Sequence, residues 1–172
     1  AVGVGLFRSE FLFMNRAGRL PGEEEQYEAY SKVVKALAGL PVTIRTVDIG
    51  ADKQLDRAPQ QMERYDHNLN PALGLRAIRW SLSEPEMFGE QLRAILRASV
   101  HGKVRLLVPM VAQLREVQLL LAAIDRAKAQ LRARAQPYLD VAIGAMIEVP
   151  AAALVLPSLL KYFDFVSIGT ND

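Results

Sequence analysis

Two arginines stand where the sequence would ordinarily place apolar side chains. Arg45 lies inside the apolar run 42–47, and Arg8 closes another apolar run near the start of the chain. A guanidinium inside such a run needs an anionic partner, because burying an unpaired charge is costly. If both runs are strands of one parallel sheet, two arginines near the same edge of that sheet could bind the oxygens of a phosphate or carboxylate bidentately. A structural salt bridge would also satisfy Arg45, so the pattern predicts an anion site or a buried ion pair.

Two carboxylates follow two other apolar runs. Glu148 comes directly after the run 141–147, and Asp172 comes shortly after the run 163–168. If these runs are neighbouring parallel strands, they lie about 5 Å apart, and their acids could share one cation. Magnesium accepts one or two carboxylates together with substrate phosphate and water. The sequence therefore predicts a metal-bound anion among these arginines and acids, or a charge network that stabilises the mouth of a barrel.

Five short apolar runs alternate with longer segments of helical period, which is typical of βα units around a parallel sheet. The runs are nearly continuous, as expected of strands that are covered on both faces. The predicted strands are 2–7, 42–47, 104–108, 141–147 and 163–168. An open doubly wound sheet and a closed barrel both fit this pattern. In either fold the active site forms at the C-terminal strand ends, which is where the polar residues gather.

Helical periodicity fills the segments between the strands. Apolar stripes over 27–37 and 114–127 predict helices that face a sheet. Residues 83–86 have the form of a capping box with proline in the first turn, which predicts that a helix begins there. Pro150 predicts another helix start, and Gly144, inside a predicted strand, predicts close backbone packing.

Other polar or soft side chains give weaker signals of chemistry. Arg76 and Arg79 are three residues apart and are predicted to share a solvated helical face. The histidines, His67 and His101, have no acid and nucleophile at a recognisable spacing, so a loop or surface role is favoured over catalysis. Met110 is predicted to be a core or pocket-lining side chain.

Composition narrows the class of protein. The 172 residues are 51% apolar and 23% charged, as in an ordinary globular domain. Lys and Arg exceed Asp and Glu by only 21 to 19, so no nucleic-acid partner is expected, and the basic segment 126–134 is predicted to be an exposed helix.

The chain has no cysteine, which agrees with a cytoplasmic location. Membrane insertion is not expected, because no apolar run approaches about 20 residues. The polar stretch 50–71 predicts a long loop.

Five blocks of the chain resemble, in the same order, blocks of the phosphoenolpyruvate-protein phosphotransferase family, Enzyme I of the bacterial sugar phosphotransferase system. The blocks are GVGLFRSEFLF (3–13), RTVDIGADK (45–53), NPALGLRAIR (70–79), MIEVP (146–150) and SIGTND (167–172). Pyruvate phosphate dikinase and phosphoenolpyruvate synthase share the first and last blocks in similar form. The second and third blocks favour the phosphotransferase.

The resemblance implies a partial (β/α)8 TIM barrel in which about five of the eight βα units are present, as one phosphoenolpyruvate-binding domain over residues 1–172. It also implies that the N-terminal phosphohistidine domain and the last barrel strands lie outside this chain. Members of the family are magnesium-dependent, cytoplasmic homodimers. They transfer the phosphoryl group of phosphoenolpyruvate to a histidine of the same protein, and from there to a histidine-containing phosphocarrier protein. We expect the chain alone not to complete this transfer.

The resemblance also implies roles for individual residues. Its catalytic arginines correspond to Arg8, Arg45 and Arg76, its substrate-binding residues to Arg8, Arg45, Lys53, Asn171 and Asp172, and its metal ligands to Glu148 and Asp172.

Several functions stay open from the sequence. A sugar-linked and a nitrogen-regulatory phosphotransferase both fit the resemblance, and the barrel of a dikinase or a synthase is the second enzyme hypothesis. A non-catalytic dimerisation module is a third. The retention of Arg8, Arg45, Glu148 and Asp172 argues against that module, because a purely structural barrel would not need all four charges.

Overall fold

Five parallel strands form one sheet in the computed structural model, which describes residues 2–14, 16, 19–49 and 74–169. The sheet curls into half of a barrel, with helices between the strands. The strands, in their order across the sheet, are β1 (Val4–Arg8), β2 (Val42–Arg45), β3 (Val104–Val108), β4 (Ala142–Ile147) and β5 (Phe165–Ile168). The predicted partial α/β barrel is confirmed, and every strand begins and ends within two residues of its predicted bounds.

Six helices connect the strands in the described part of the chain. They are α1 (Glu23–Ala36), α2 (Ile78–Ser83), α3 (Pro85–Ala98), α4 (Leu114–Ala133), α5 (Pro150–Leu154) and α6 (Leu156–Leu159). Short 3-10 turns cover Ser9–Leu12 and Ser99–His101. The helices predicted over 27–37 and 114–127 and the helix start at Pro150 are confirmed. None of the described helices is long and apolar enough to cross a membrane.

The capping box predicted at residues 83–86 is wrong. Ser83 is the last residue of α2, and its Oγ donates to the carbonyl of Trp80 at 2.8 Å, so the hydroxyl serves the preceding helix. The next helix, α3, begins with Pro85 in its first turn, without a side-chain cap. A capping box does form at the start of α4, between Gln113 and Glu116.

The helices bury one large core against the outer face of the sheet. Ile44 of β2 and Leu106 of β3 belong to this core, together with Tyr30 of α1, Leu92 of α3 and Leu120 of α4. Each such side chain contributes about 1.5–3 kcal/mol when fully buried. Because strand residues alternate between faces, the odd-numbered residues of β2 point to the concave side of the sheet.

Several smaller predictions can be compared with the fold. A Cβ on Gly144 would lie 2.4 Å from the ring of Phe165, so the close packing predicted there is confirmed. Met110 is 2% exposed, as expected of a core side chain. His101 lies before β3, at the end of the sheet opposite the predicted site, with Nε2 2.9 Å from the hydroxyl of Tyr27. The basic residues of 126–134 lie mostly on the exposed face of α4, as predicted.

Candidate active site

Arg45 ends β2, and its side chain lies at the concave rim of the sheet with 8% of the residue exposed. It forms an ion pair with Glu10, in the turn after β1, and a second one with Asp48, whose Oδ2 is 3.1 Å from Nη1. Nη1 also lies 3.7 Å from the sulfur of Met146, on β4. Within the described residues, Nε of Arg45 and Oε2 of Glu10 are buried without a hydrogen-bond partner. Arg45 is therefore held by two acids and keeps one unused donor.

Asp48 joins Arg45 to a second predicted site arginine. Its side chain is 7% exposed, and its Oδ1 lies 3.2 Å from Nε of Arg76. Two guanidinium groups repel each other, so a carboxylate between them allows both to remain at one rim. A small apolar cluster packs beside this network and is formed by Phe13, Val47, Ile49, Trp80 and Met87.

The shared solvated face predicted for Arg76 and Arg79 is wrong. Arg76 precedes α2 and turns to Asp48, whereas Nε of Arg79 lies 3.2 Å from Oε1 of Glu116, beyond β3. Ala77 stands between them with a φ of 51°, which interrupts the helical period. The spacing of three residues therefore does not place the two side chains on one face.

Arg8 ends β1 and is the register partner of Arg45. Residues paired across parallel strands point to the same face, so both arginines face the concave side of the sheet. The side chain of Arg8 is exposed, and the structure gives it no ion pair within the described ranges.

Gln91 of α3 ties the ends of β1 and β2 together. Its side chain is fully buried, and its Oε1 accepts a hydrogen bond from the backbone N–H of Val47 at 3.0 Å. Its amide nitrogen donates to Ser9 at 3.2 Å and to the hydroxyl of Tyr30 at 3.1 Å. Burial raises the pKa of Tyr30, so its phenol stays protonated and donates to Gln26 at 3.0 Å. These hydrogen bonds with α3 therefore fix the C-terminal ends of β1 and β2 relative to each other.

Glu148 follows β4 directly and is oriented by its neighbours. Its Oε1 accepts a hydrogen bond from the backbone N–H of Met110 at 2.6 Å, and Met110 has a φ of 58°. A Cβ on Gly169 would lie 2.8 Å from Cβ and 3.0 Å from Oε2 of Glu148. The Glu148 side chain therefore packs against Gly169, just after β5, at a position where any larger residue would clash with it.

The chemistry of Glu148 fits one ligand of a divalent cation. It is a hard oxygen donor whose orientation is fixed by a backbone hydrogen bond, as is usual for metal-binding carboxylates. Within the ranges that the structure describes, no group of three or more His, Cys, Asp or Glu side chains could hold a metal. Asp172, the other predicted ligand, lies outside the described residues, as do Lys53, Asn171 and His67.

Sequence reasoning did not predict that Glu10 and Asp48 hold Arg45. It also missed Gln91 and Glu116. A polar residue within the apolar stripe of α3 is a signal for a buried hydrogen-bond network and could have indicated Gln91. Glu116 gave no such signal, because Gln113, its partner in the capping box, is not one of the residue types preferred before a helix.

This fold and rim geometry are accompanied by a family match over the whole chain. The family model described as "PEP-utilising enzyme, PEP-binding domain", where PEP is phosphoenolpyruvate, matches residues 1–172. The chain belongs to this family of PEP-binding barrels.

Similar proteins narrow the class further. The chain is 63% identical over 173 residues to the phosphoenolpyruvate-protein phosphotransferase of Cupriavidus necator. It is 47% identical over 175 residues to that of Streptococcus equinus and 45% identical over 175 residues to that of Staphylococcus carnosus. These alignments cover 100% of the chain and 29% of each relative. The predicted resemblance is confirmed, and the dikinase and synthase hypotheses are not favoured.

Proposed function

We propose that this chain forms the phosphoenolpyruvate- and magnesium-binding part of a phosphotransferase. The enzyme would transfer the phosphoryl group of phosphoenolpyruvate to a histidine of its own polypeptide. The observation that carries this proposal is the arginine network at the rim. Arg45 is buried between two acids and is linked through Asp48 to Arg76, and its Nε has no hydrogen-bond partner among the residues that the structure describes.

An anionic substrate would complete this network. A buried N–H without a partner costs about 1–3 kcal/mol, and a phosphate oxygen would satisfy Nε of Arg45. Arg8, exposed beside Arg45 on the same face, would hold a second oxygen of the same group. A non-catalytic dimerisation module would gain nothing from a buried donor left open, so the enzyme is the better explanation of the rim.

The residues would act mainly by positioning and charge neutralisation. Phosphoryl transfer spreads negative charge over the transferred group and the leaving oxygen, and fixed arginines stabilise that charge without reorganising. Glu148 and Asp172 would hold Mg²⁺, which neutralises substrate phosphate charge when it is bound. Arg76, held by Asp48, would face the same charge. Lys53 and Asn171 are proposed as further substrate contacts.

The wider role is inferred from the relatives, whose name specifies a protein as the phosphoryl acceptor. We propose that the phosphoryl group passes on to a histidine-containing phosphocarrier protein. The process would take place in the cytoplasm and in a homodimer. Sugar uptake and nitrogen-related regulation are both compatible with this chain.

A chimeric enzyme tests the proposal. The matching segment of the Cupriavidus necator phosphotransferase is replaced by this chain, and pyruvate release is measured with phosphoenolpyruvate, Mg²⁺ and a phosphocarrier protein. We expect an active chimera in which Arg45→Ala or Glu148→Ala lowers the rate by about 100-fold or more. Arg105→Ala is the matched control, because Arg105 is exposed near the opposite end of β3. Full activity in a folded Arg45→Ala chimera would contradict the proposal.

A further inference from the structure

We propose that Glu116 is a positioning residue for both halves of the candidate active site. It fixes the loop between β3 and α4 that orients Glu148, and through Arg79 it fixes the segment that carries Arg76. The inference rests on the proposed function, because it takes Glu148 as a metal ligand and Arg76 as a substrate contact.

The contacts of Glu116 exceed those that a helix cap requires. Its side chain is 5% exposed, and Oε2 accepts hydrogen bonds from the backbone N–H groups of Ala112 at 2.7 Å and Gln113 at 3.1 Å. The other oxygen, Oε1, lies 3.2 Å from Nε of Arg79. A buried carboxylate with a donor on each oxygen is held in one orientation. Glu116 therefore links the β3–α4 loop rigidly to the start of α2.

The hydrogen bonds that Glu116 accepts from the β3–α4 loop affect the orientation of Glu148. Met110 donates its N–H to Glu148 at 2.6 Å, and Ala112, two residues later, donates its N–H to Glu116. The φ of 58° at Met110 is unfavourable for a residue with a side chain, so the surrounding contacts must maintain it. Without the acceptor on Glu116 the loop can relax, and the N–H of Met110 then turns away from Glu148.

The ion pair between Glu116 and Arg79 affects the placement of Arg76. While its Nε pairs with Glu116, Arg79 donates from Nη1 to the carbonyl of Gly74 at 2.8 Å. Gly74 lies two residues before Arg76, and the N–H of Ala77, one residue after it, donates to the carbonyl of Ile49 at 3.1 Å. Arg76 is therefore fixed on both sides by backbone contacts, one of which depends on Arg79.

Variants of Glu116 can distinguish its effect on the orientation of Glu148 from its effect on the stability of the fold. Groups that orient metal ligands change metal affinity by about 10- to 100-fold when removed. Glu116→Ala removes the loop acceptor, so we expect the affinity for Mn²⁺ to fall by about 10-fold or more. Glu116→Gln keeps an acceptor oxygen for the loop and is expected to restore that affinity to within about 3-fold of the original. Arg79→Lys should keep Mn²⁺ affinity and weaken phosphoenolpyruvate binding, because lysine cannot reach Glu116 and Gly74 together.

The experiment measures Mn²⁺ binding to the purified 172-residue chain by electron paramagnetic resonance, with circular dichroism melting as the test of folding. The matched control is Glu23→Ala, which removes a partly buried carboxylate of α1 that pairs with Arg93 and Arg97 of α3. It should lower the melting temperature and leave Mn²⁺ affinity unchanged. If Glu116→Ala does not fold, Glu116→Asp replaces it, since the shorter acid cannot serve the loop and Arg79 together and should weaken Mn²⁺ binding similarly.

Two outcomes are distinguishable. A folded Glu116→Ala or Glu116→Asp chain that binds Mn²⁺ as tightly as the unsubstituted chain overturns the positioning role alone. An unsubstituted, folded chain that binds no Mn²⁺ overturns the proposed metal site, and the positioning role is overturned with it.

Discussion

Arg45 is tightly constrained at the rim of the sheet, since it pairs with Glu10 and Asp48 and is 8% exposed. Removing one member of a buried ion pair leaves the other without compensation, which is more costly than the net value of the pair. The same two acids compete with any substrate anion for the guanidinium. Stability and substrate affinity are therefore opposed at this residue.

Glu10→Gln should weaken the fold and strengthen substrate binding. The loss of a charged hydrogen bond to Arg45 costs about 1–3 kcal/mol, and a domain of this size loses about 2–4 °C in melting temperature per kcal/mol. Removing a negative charge beside the bound phosphate should raise phosphoenolpyruvate affinity by about 5-fold or more. Thermal melting and calorimetric titration measure the two effects.

The control for this prediction is Glu24→Gln. Glu24 pairs with Arg97 while its side chain is 64% exposed, so its loss should change neither quantity. Weaker phosphoenolpyruvate binding in a folded Glu10→Gln chain would mean that Glu10 orients Arg45 for the substrate and does not compete with it.

Sequence reasoning could place some of these residues and not others. Arg8, Arg45 and Glu148 could be placed at the rim because each interrupts or follows an apolar run, which leaves few other positions for a charge. The partners Asp48 and Glu116 could not be predicted, because they depend on loop conformations. Those loops turn at residues with positive φ, Ala77 and Met110, and no periodicity encodes such turns.

At the scale of elements, the strands were the most predictable feature. Strands covered on both faces are continuous apolar runs, so their bounds follow from composition. The helix start predicted at 83–86 is confirmed by α3, but the capping box there is wrong, because a serine hydroxyl can serve the helix before it as well as the helix after it. The capping box at Gln113 could be recognised only once the start of α4 was known.

Gly144→Ala tests the contact between β4 and β5. The added Cβ would lie 2.4 Å from the ring of Phe165, so the ring or the strands must move, at a cost of about 1–3 kcal/mol. We expect a lower melting temperature. Gly5→Ala in β1 is the matched control, since no heavy atom lies within 4 Å of its added Cβ, and it should be neutral or slightly stabilising. Equal melting temperatures for both variants would contradict the packing.

The ionisation of Glu23 should make the packing of α1 against α3 and α4 depend on pH. Burial alone would raise its pKa, but the hydrogen bonds from Arg93 and Arg97 and the charges of Arg93 and Arg134 outweigh burial and lower the pKa. A folded-state pKa below the unfolded value means that the ionised group stabilises the fold above a pH of about 4.3. That stabilisation is lost as the pH falls through the folded-state pKa.

The test compares melting temperatures of Glu23→Gln and the unsubstituted chain at pH 7, 5 and 3. The variant should be less stable at pH 7 and 5, and the difference should shrink at pH 3, where Glu23 approaches protonation. Glu28→Gln, an exposed residue on the same helix, should show little difference at any pH. A Glu23→Gln deficit that stays constant with pH would exclude the ion pairs as its cause.

At the scale of the whole molecule, the sheet curls into half of a barrel, so the side chains on its concave face converge. β2 and β4 are separated by two strand spacings, about 10 Å, which two long side chains can span together. Nη1 of Arg45 lies 3.7 Å from the sulfur of Met146, two residues before Glu148, and this contact joins the ends of the two strands. Periodicity could not separate a barrel from an open sheet, whereas the five ordered blocks favoured the barrel before the topology confirmed it.

The central claim is that this rim binds phosphoenolpyruvate together with a divalent cation. Calorimetric titration of phosphoenolpyruvate into the folded chain, with and without Mg²⁺, tests it most directly, with Arg45→Ala and Glu148→Ala as variants and Arg105→Ala as control. The account predicts Mg²⁺-dependent binding that both variants lose and the control keeps. Absence of binding by the folded chain, or unchanged binding in Arg45→Ala, would contradict it.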